Sequence, residues 1–130
     1  MMNIKFPQRL NKLQIEEFFI KKGLGDLVKL SKGPIKKVND MVLASPYRPE
    51  LDDLYSLYQF ILLNKRTTIL EFGSGWSSII FALALNELKK KFIKHIKNLR
   101  RNNPFELFIL ENEKKFLGIT KKKLSKFIKK

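Results

Sequence analysis

The sequence predicts an α/β fold in which helices come first and a strand–helix–strand–helix run follows, forming a short parallel sheet. Three observations carry this. Ile69, Leu70 and Phe72 form a short apolar run of strand type that closes on a Gly-Ser-Gly turn. Phe105-Glu106-Leu107-Phe108-Ile109-Leu110 is a second such run, ending at once in Glu111. Between them lies a long stretch with Leu85, Leu88, Phe92, Ile96 and Leu99 at steps of three and four, the spacing of one helix face. Strands separated by a helix pair in parallel, and strands so placed are read here as buried.

The elements follow in order along the chain. Residues 8–22 place Leu10, Leu13, Ile15, Phe18 and Phe19 at helical spacing, and Gly23-Leu24-Gly25 ends that segment. Asp26 is suited to cap a short helix running to Leu30, and Ser31-Lys32-Gly33-Pro34 is a break. Residues 35–44 fit either helix or extended chain. Pro49 suits the first position of a helix whose first turn holds Glu50, Asp52 and Asp53, and whose apolar face is Leu51, Leu54, Tyr55, Tyr58, Ile61 and Leu62. Asn64-Lys65-Arg66 closes that helix and the first strand starts at Thr67. Pro104 ends the long helical region before the second strand. From about Glu113, Phe116, Leu117, Leu124, Phe127 and Ile128 define a last helix, with Gly118 its weak point. This order divides the chain into an N-terminal helical segment, 1–48, and an α/β part, 49–130.

Composition narrows the function classes. One domain's worth of apolar residues is present, at 44% of 130 residues, and there is no cysteine, so disulfides and cysteine metal sites are excluded. The longest apolar run, Ile79 to Leu85, is far shorter than the ~20 residues of a membrane span. Met1-Met2-Asn3-Ile4-Lys5-Phe6-Pro7 lacks the apolar core of a signal peptide, which makes a cytoplasmic protein with no membrane partner the expectation.

Charge is lopsided: residues 1–88 carry a net +3 and residues 89–130 a net +12 of the total +15. Such a basic half can meet nucleic acid. Lysine supplies 22 of the 27 basic residues, and Lys89, Lys90, Lys91, Lys94 and Lys97 alternate with the apolar side of the long helix. That is the pattern of a solvated face, so nucleic-acid binding is admitted but not favoured. His95 lies among these lysines and is read as a surface residue. No His, Cys and carboxylate grouping has metal-ligand spacing, and no nucleophile–histidine–acid set suggests catalysis, so catalytic residues stay unassigned.

The turn itself is the most informative stretch. In Glu71-Phe72-Gly73-Ser74-Gly75-Trp76-Ser77-Ser78 an acid ends the strand, Gly73 and Gly75 allow a sharp turn and close ligand approach, and Ser77 or Ser78 is placed to cap the next helix. First-turn amides of that helix favour a negative group. A dinucleotide turn would need a third glycine where Ser78 stands, and a phosphate-binding P-loop would need a lysine, whereas none lies between Lys65 and Lys89. A carboxylate at the end of the second strand can accept both hydroxyls of a ribose, which points to Glu111, with Glu113 second. Both acids also suit the N-terminus of the last helix through its dipole. Gly75 and Glu111 are 36 residues apart, longer than the ~20 of a dinucleotide fold.

The acid followed by Gly-x-Gly, with a second acid closing the next strand, resembles the class I S-adenosylmethionine-dependent methyltransferases. The resemblance runs from about Pro46 onward and rests on these two short motifs. It implies a Rossmann-like sheet with S-adenosylmethionine across the carboxyl ends of its strands. Glu71, Gly73, Ser74 and Gly75 would then surround the methionine moiety and Glu111 would hold the ribose. Trp76, within the turn, is placed either to wall the pocket or to pack on the preceding helix. Tyr47 and Arg48, just before the helix that leads into the first strand, are further candidates for folding over the cofactor. The family's third-strand loop and fourth-strand motif have no counterpart here. The resemblance therefore implies an incomplete or truncated methyltransferase-type transferase, or one half of a split enzyme, with a second chain completing the sheet. The other class left open is a non-catalytic basic interaction protein that keeps a relic of the fold.

Overall fold

Seven elements succeed one another in a computed structural model that describes residues 3–33, 48–94 and 104–128: α1 (Lys12–Lys21), α2 (Gly25–Ser31), α3 (Leu51–Leu63), β1 (Thr68–Phe72), α4 (Trp76–Phe92), β2 (Glu106–Leu110) and α5 (Lys114–Ile128). The expected mix of helix and strand is present, with one parallel two-stranded sheet. Tyr47, His95, Lys97, Ile96, Leu99, the ambiguous segment 35–44 and the side chains of Phe127 and Ile128 lie outside the described residues. The chain divides into two compact units, residues 8–56 and residues 1–7 with 57–130, the division falling within α3.

In the unit 8–56, α1 begins at a reciprocal cap. Asn11 Oδ1 accepts from the Gln14 amide at 2.8 Å, and Gln14 Oε1 accepts from the Asn11 amide at 3.1 Å, so two otherwise unpaired donors are satisfied. Gly23, at φ +79°, turns the chain out of α1. Ile15, Phe19, Leu24, Leu27, Val28, Leu51, Leu54 and Tyr55 are buried, and the Phe18 ring meets Phe19 and Tyr55 edge-on. Asp26 does not cap α2. It lies inside the first turn, where its charge still suits the helix dipole, and Leu24 precedes the helix without a side-chain cap. Pro49 likewise stands two residues further out than expected, since α3 starts at Leu51 and the Leu54 amide donates to the Glu50 carbonyl, which makes Glu50 the cap position and Pro49 the residue before it.

In the unit holding the sheet, Tyr58, Ile61, Ile79, Ile80, Ala84, Leu85 and Leu88 form the core. The Tyr58 hydroxyl, on α3, donates to the carboxylate of Glu87 on α4. Lys65, at φ +49°, turns the chain from α3 towards β1. The two strands pair from Thr68 with Glu106 to Phe72 with Leu110. The Glu106 amide donates to Thr67, and the Gly73 amide donates to the Leu110 carbonyl at 2.7 Å, carrying the ladder one step beyond β1 into the glycine turn. The strands are not buried on both faces. Side chains alternate across a strand, and Glu71, held by α4, marks the covered face. On the other, Leu70 is 56% exposed, Phe72 79%, Phe108 49% and Leu110 57%.

Candidate functional site

Strand β1, the turn Gly73–Gly75 and the start of α4 meet the end of β2 because the hydrogen bond donated by the Gly73 amide to the Leu110 carbonyl holds them together. Helix α4 starts at Trp76 with Gly75 as its cap residue, so neither Ser77 nor Ser78 takes the cap position. Ser78 works from inside the first turn: its Oγ accepts from the Gly75 amide at 3.2 Å. The same hydroxyl, fully buried, donates to Glu71 Oε2 at 2.6 Å, and the Ser77 hydroxyl donates to Glu71 Oε1. Glu71 is itself buried, and both its oxygens are turned to these serines. In the protein alone, this carboxylate ties the end of β1 to the first turn of α4 and thereby sets the path of the glycine turn.

The two glycines differ in what they require. Gly73 has φ +87°, the left-handed region that side chains avoid. Gly75 is extended, at φ 172°, and a Cβ built there meets nothing within 4 Å. Gly73→Ala is therefore expected to lower stability by about 1–2 kcal/mol, the cost of a left-handed non-glycine residue. Gly75→Ala should change it by less than about 0.5 kcal/mol, as for a surface substitution that disturbs nothing. Urea unfolding of the two variants measures both. A ligand seated against the turn would make Gly75→Ala costly for binding alone, which separates the site from the scaffold.

Glu111 crosses from β2 to the turn. Its Oε2 accepts from the Ser74 amide and from the Ser74 hydroxyl, both at 2.8 Å, and its Oε1 accepts from the Glu113 amide at 3.0 Å. The hydrogen bond from the Glu113 amide foremost, then that from the Ser74 hydroxyl, hold the Glu111 carboxyl below its ordinary value. The sequence placed Glu111 and Ser74 at one site from different strand ends, and the structure brings them into direct contact. Glu113 is exposed and points no bond of its side chain at this site among those described; its amide serves Glu111, and its carbonyl accepts the first bond of α5, from Leu117. Glu111 thus serves the start of the last helix as well as the glycine turn.

Trp76 is half-buried, and the Lys123 ammonium from α5 stands over its ring, 3.2 Å from the centroid. Burial pushes the Lys123 amine below its usual value. One face of the indole is therefore occupied by a cation of the protein itself. Lys123 was not singled out by the sequence, because it sits within Lys121-Lys122-Lys123 and only the fold distinguishes it from its neighbours. Arg48 belongs to the other unit, where its Nη1 donates to the Gly33 carbonyl at 3.3 Å and its Nη2 pairs with Glu50 at 3.4 Å.

Lys89, Lys90, Lys91 and Lys94 are exposed at the end of α4. No grouping of three or more His, Asp or Glu able to hold a metal ion occurs among the described residues. No helix among them is long and apolar enough to cross a membrane. Comparison of the chain with protein-family models, with characterised proteins and with solved structures gives no match.

Proposed function

We propose that the carboxyl end of the sheet binds the nucleoside part of S-adenosylmethionine, and that the chain is a cytoplasmic S-adenosylmethionine-dependent methyltransferase of Rossmann-like fold, or the cofactor-binding half of one. One observation carries the reading: Ser74 in the glycine turn after β1 and Glu111 at the end of the neighbouring parallel strand meet at hydrogen-bond distance. Ligands of open parallel sheets lie outside the carboxyl ends of the strands, where an acid can take ribose hydroxyls and a glycine turn gives close approach. Glu71 supports the turn from behind rather than facing a ligand, since both its oxygens accept from α4 serines. Cofactor contact accordingly falls to Gly73, Ser74, Gly75 and Glu111. The sulfonium of the cofactor is already activated, so the protein's task in methyl transfer is orientation of donor and acceptor. A second chain adding strands to the open sheet edge would supply the wall that holds the acceptor.

The test is ligand-dependent unfolding of the purified chain. S-adenosylmethionine or its demethylated product should raise stability by about 2.7 kcal/mol at a hundredfold excess over the dissociation constant. NAD and ATP should give no protection, and equal protection by NAD would remove the methyltransferase assignment.

A second reading, a non-catalytic basic interaction protein, is favoured by the net +12 of residues 89–130 and the exposed lysines at the end of α4. Under the methyltransferase reading those lysines are a solvated face. Binding to RNA or DNA should then be weak, indifferent to sequence, and lost steeply as salt rises. Sequence-selective binding that persists near ~200 mM salt would favour the second reading instead.

A further inference from the structure

The face of the sheet opposite α4 presents four large apolar side chains in two facing pairs, Leu70 beside Phe108 and Phe72 beside Leu110. All four are about half exposed or more. Parallel strands are almost always covered on both faces, and here α4 covers one. We propose that this face receives an acidic amphipathic helix from a partner polypeptide.

Size and charge select that occupant. The exposed parts of two Phe and two Leu side chains amount to roughly 450 Å² of apolar surface. Two strands ~4.8 Å apart, with same-face residues ~6.6 Å apart along each, make a patch that two or three turns of a helix ~10 Å across would cover. Helix-on-face docking of this kind reads apolar anchors at i, i+3, i+4 and i+7. The strands place one charge on this face, the acid Glu106 beside Thr68, but the chain as a whole carries +15, so a second copy is repelled and an acidic partner is drawn in. The inference rests on packing and charge alone, and it holds whether or not the glycine turn binds a nucleoside.

The probe is a labelled synthetic helix with leucine at i, i+3, i+4 and i+7 and glutamate elsewhere, set beside a scrambled peptide of the same composition and a lysine-for-glutamate twin. Fluorescence anisotropy near physiological salt should show the patterned acidic peptide binding at least about tenfold tighter than either control, the scale of one buried apolar side chain. Phe72→Ser with Phe108→Ser should abolish that advantage and leave the weak binding of the scrambled peptide unchanged. Both positions are exposed, so the core is untouched, and Leu70→Ser with Leu110→Ser gives an independent second pair should circular dichroism show that the first fails to fold. Equal binding of patterned and scrambled peptides would overturn the inference, leaving charge alone as the attraction. So would a basic twin that binds as well as the acidic peptide. A dimer in sedimentation that Phe72→Ser with Phe108→Ser dissolves would assign the face to a second copy instead.

Discussion

Glu71→Ala is expected to destabilise the folded chain by about 3 kcal/mol, more than any other single side-chain truncation at the glycine turn. The carboxylate accepts from both Ser77 and Ser78, and hydrogen bonds to a charged group contribute about 1.5–3 kcal/mol each. Release of the buried charge offsets part of that loss, while the Ser78 hydroxyl, with no solvent exposure, is left without its acceptor. The loss therefore has a recognisable signature. Ser78→Ala should cost less in the Glu71→Ala background than in the parent chain, by about 1 kcal/mol or more, because the two residues share one network, while the bond from the Gly75 amide is lost in both backgrounds. Urea unfolding of the two single variants and the double closes the cycle. Strict additivity would show that Glu71 stabilises the chain without Ser78, and the account of β1 and α4 given above would be wrong.

The same residue shows where the sequence was legible and where it was not. Order and type of the elements followed from periodicity: the steps of three and four from Leu85 to Phe92 in α4, the two apolar runs, and the breaks at Gly23 and Lys65 all have counterparts in the structure. That the glycine turn and Glu111 share one end of the sheet was also legible, because both close strands that pair in parallel; the bonds from Ser74 to Glu111 were not. Burial of the strands was not. An apolar run reads the same whether one face or two are covered, and only the alternation of Glu71 with Leu70 and Phe72 tells which face α4 takes. The role of Glu71 was hidden for a related reason. A carboxylate beside Gly-x-Gly fits a ligand site as well as it fits two serines six and seven residues on, and only the start of α4 at Trp76 brings those serines over it. Likewise Asp26 carried the chemistry of a cap, but the helix began one residue before it.

Glu111→Ala should weaken S-adenosylmethionine binding about ten- to hundredfold if the carboxylate takes the ribose hydroxyls, since such bonds to a charged acceptor are the strong kind. Ser74→Ala should act in the opposite direction. A carboxylate offers about four acceptor positions, and three are filled in the protein alone, by the Ser74 amide, the Ser74 hydroxyl and the Glu113 amide. Two ribose hydroxyls need two positions, so one existing bond must be released on binding. Removing the Ser74 hydroxyl leaves one protein bond on each oxygen and one position free on each, which suits a vicinal diol. Titration calorimetry should then find the Ser74→Ala chain binding the cofactor a few-fold more tightly, about the worth of one neutral hydrogen bond. Acidity supplies an independent check. The folded-state value of Glu111 is depressed, so its contribution to stability is present above the ordinary carboxylate value of 4.5 and is lost as pH falls through the depressed value. Affinity should fall over that same acidic range in the parent chain and show no such step in Glu111→Ala. Weaker binding by Ser74→Ala would mean that the Ser74 hydroxyl positions Glu111 for the ligand rather than competing with it. Unchanged binding in Glu111→Ala would place the ribose elsewhere and leave Glu111 as a clasp between the glycine turn and α5.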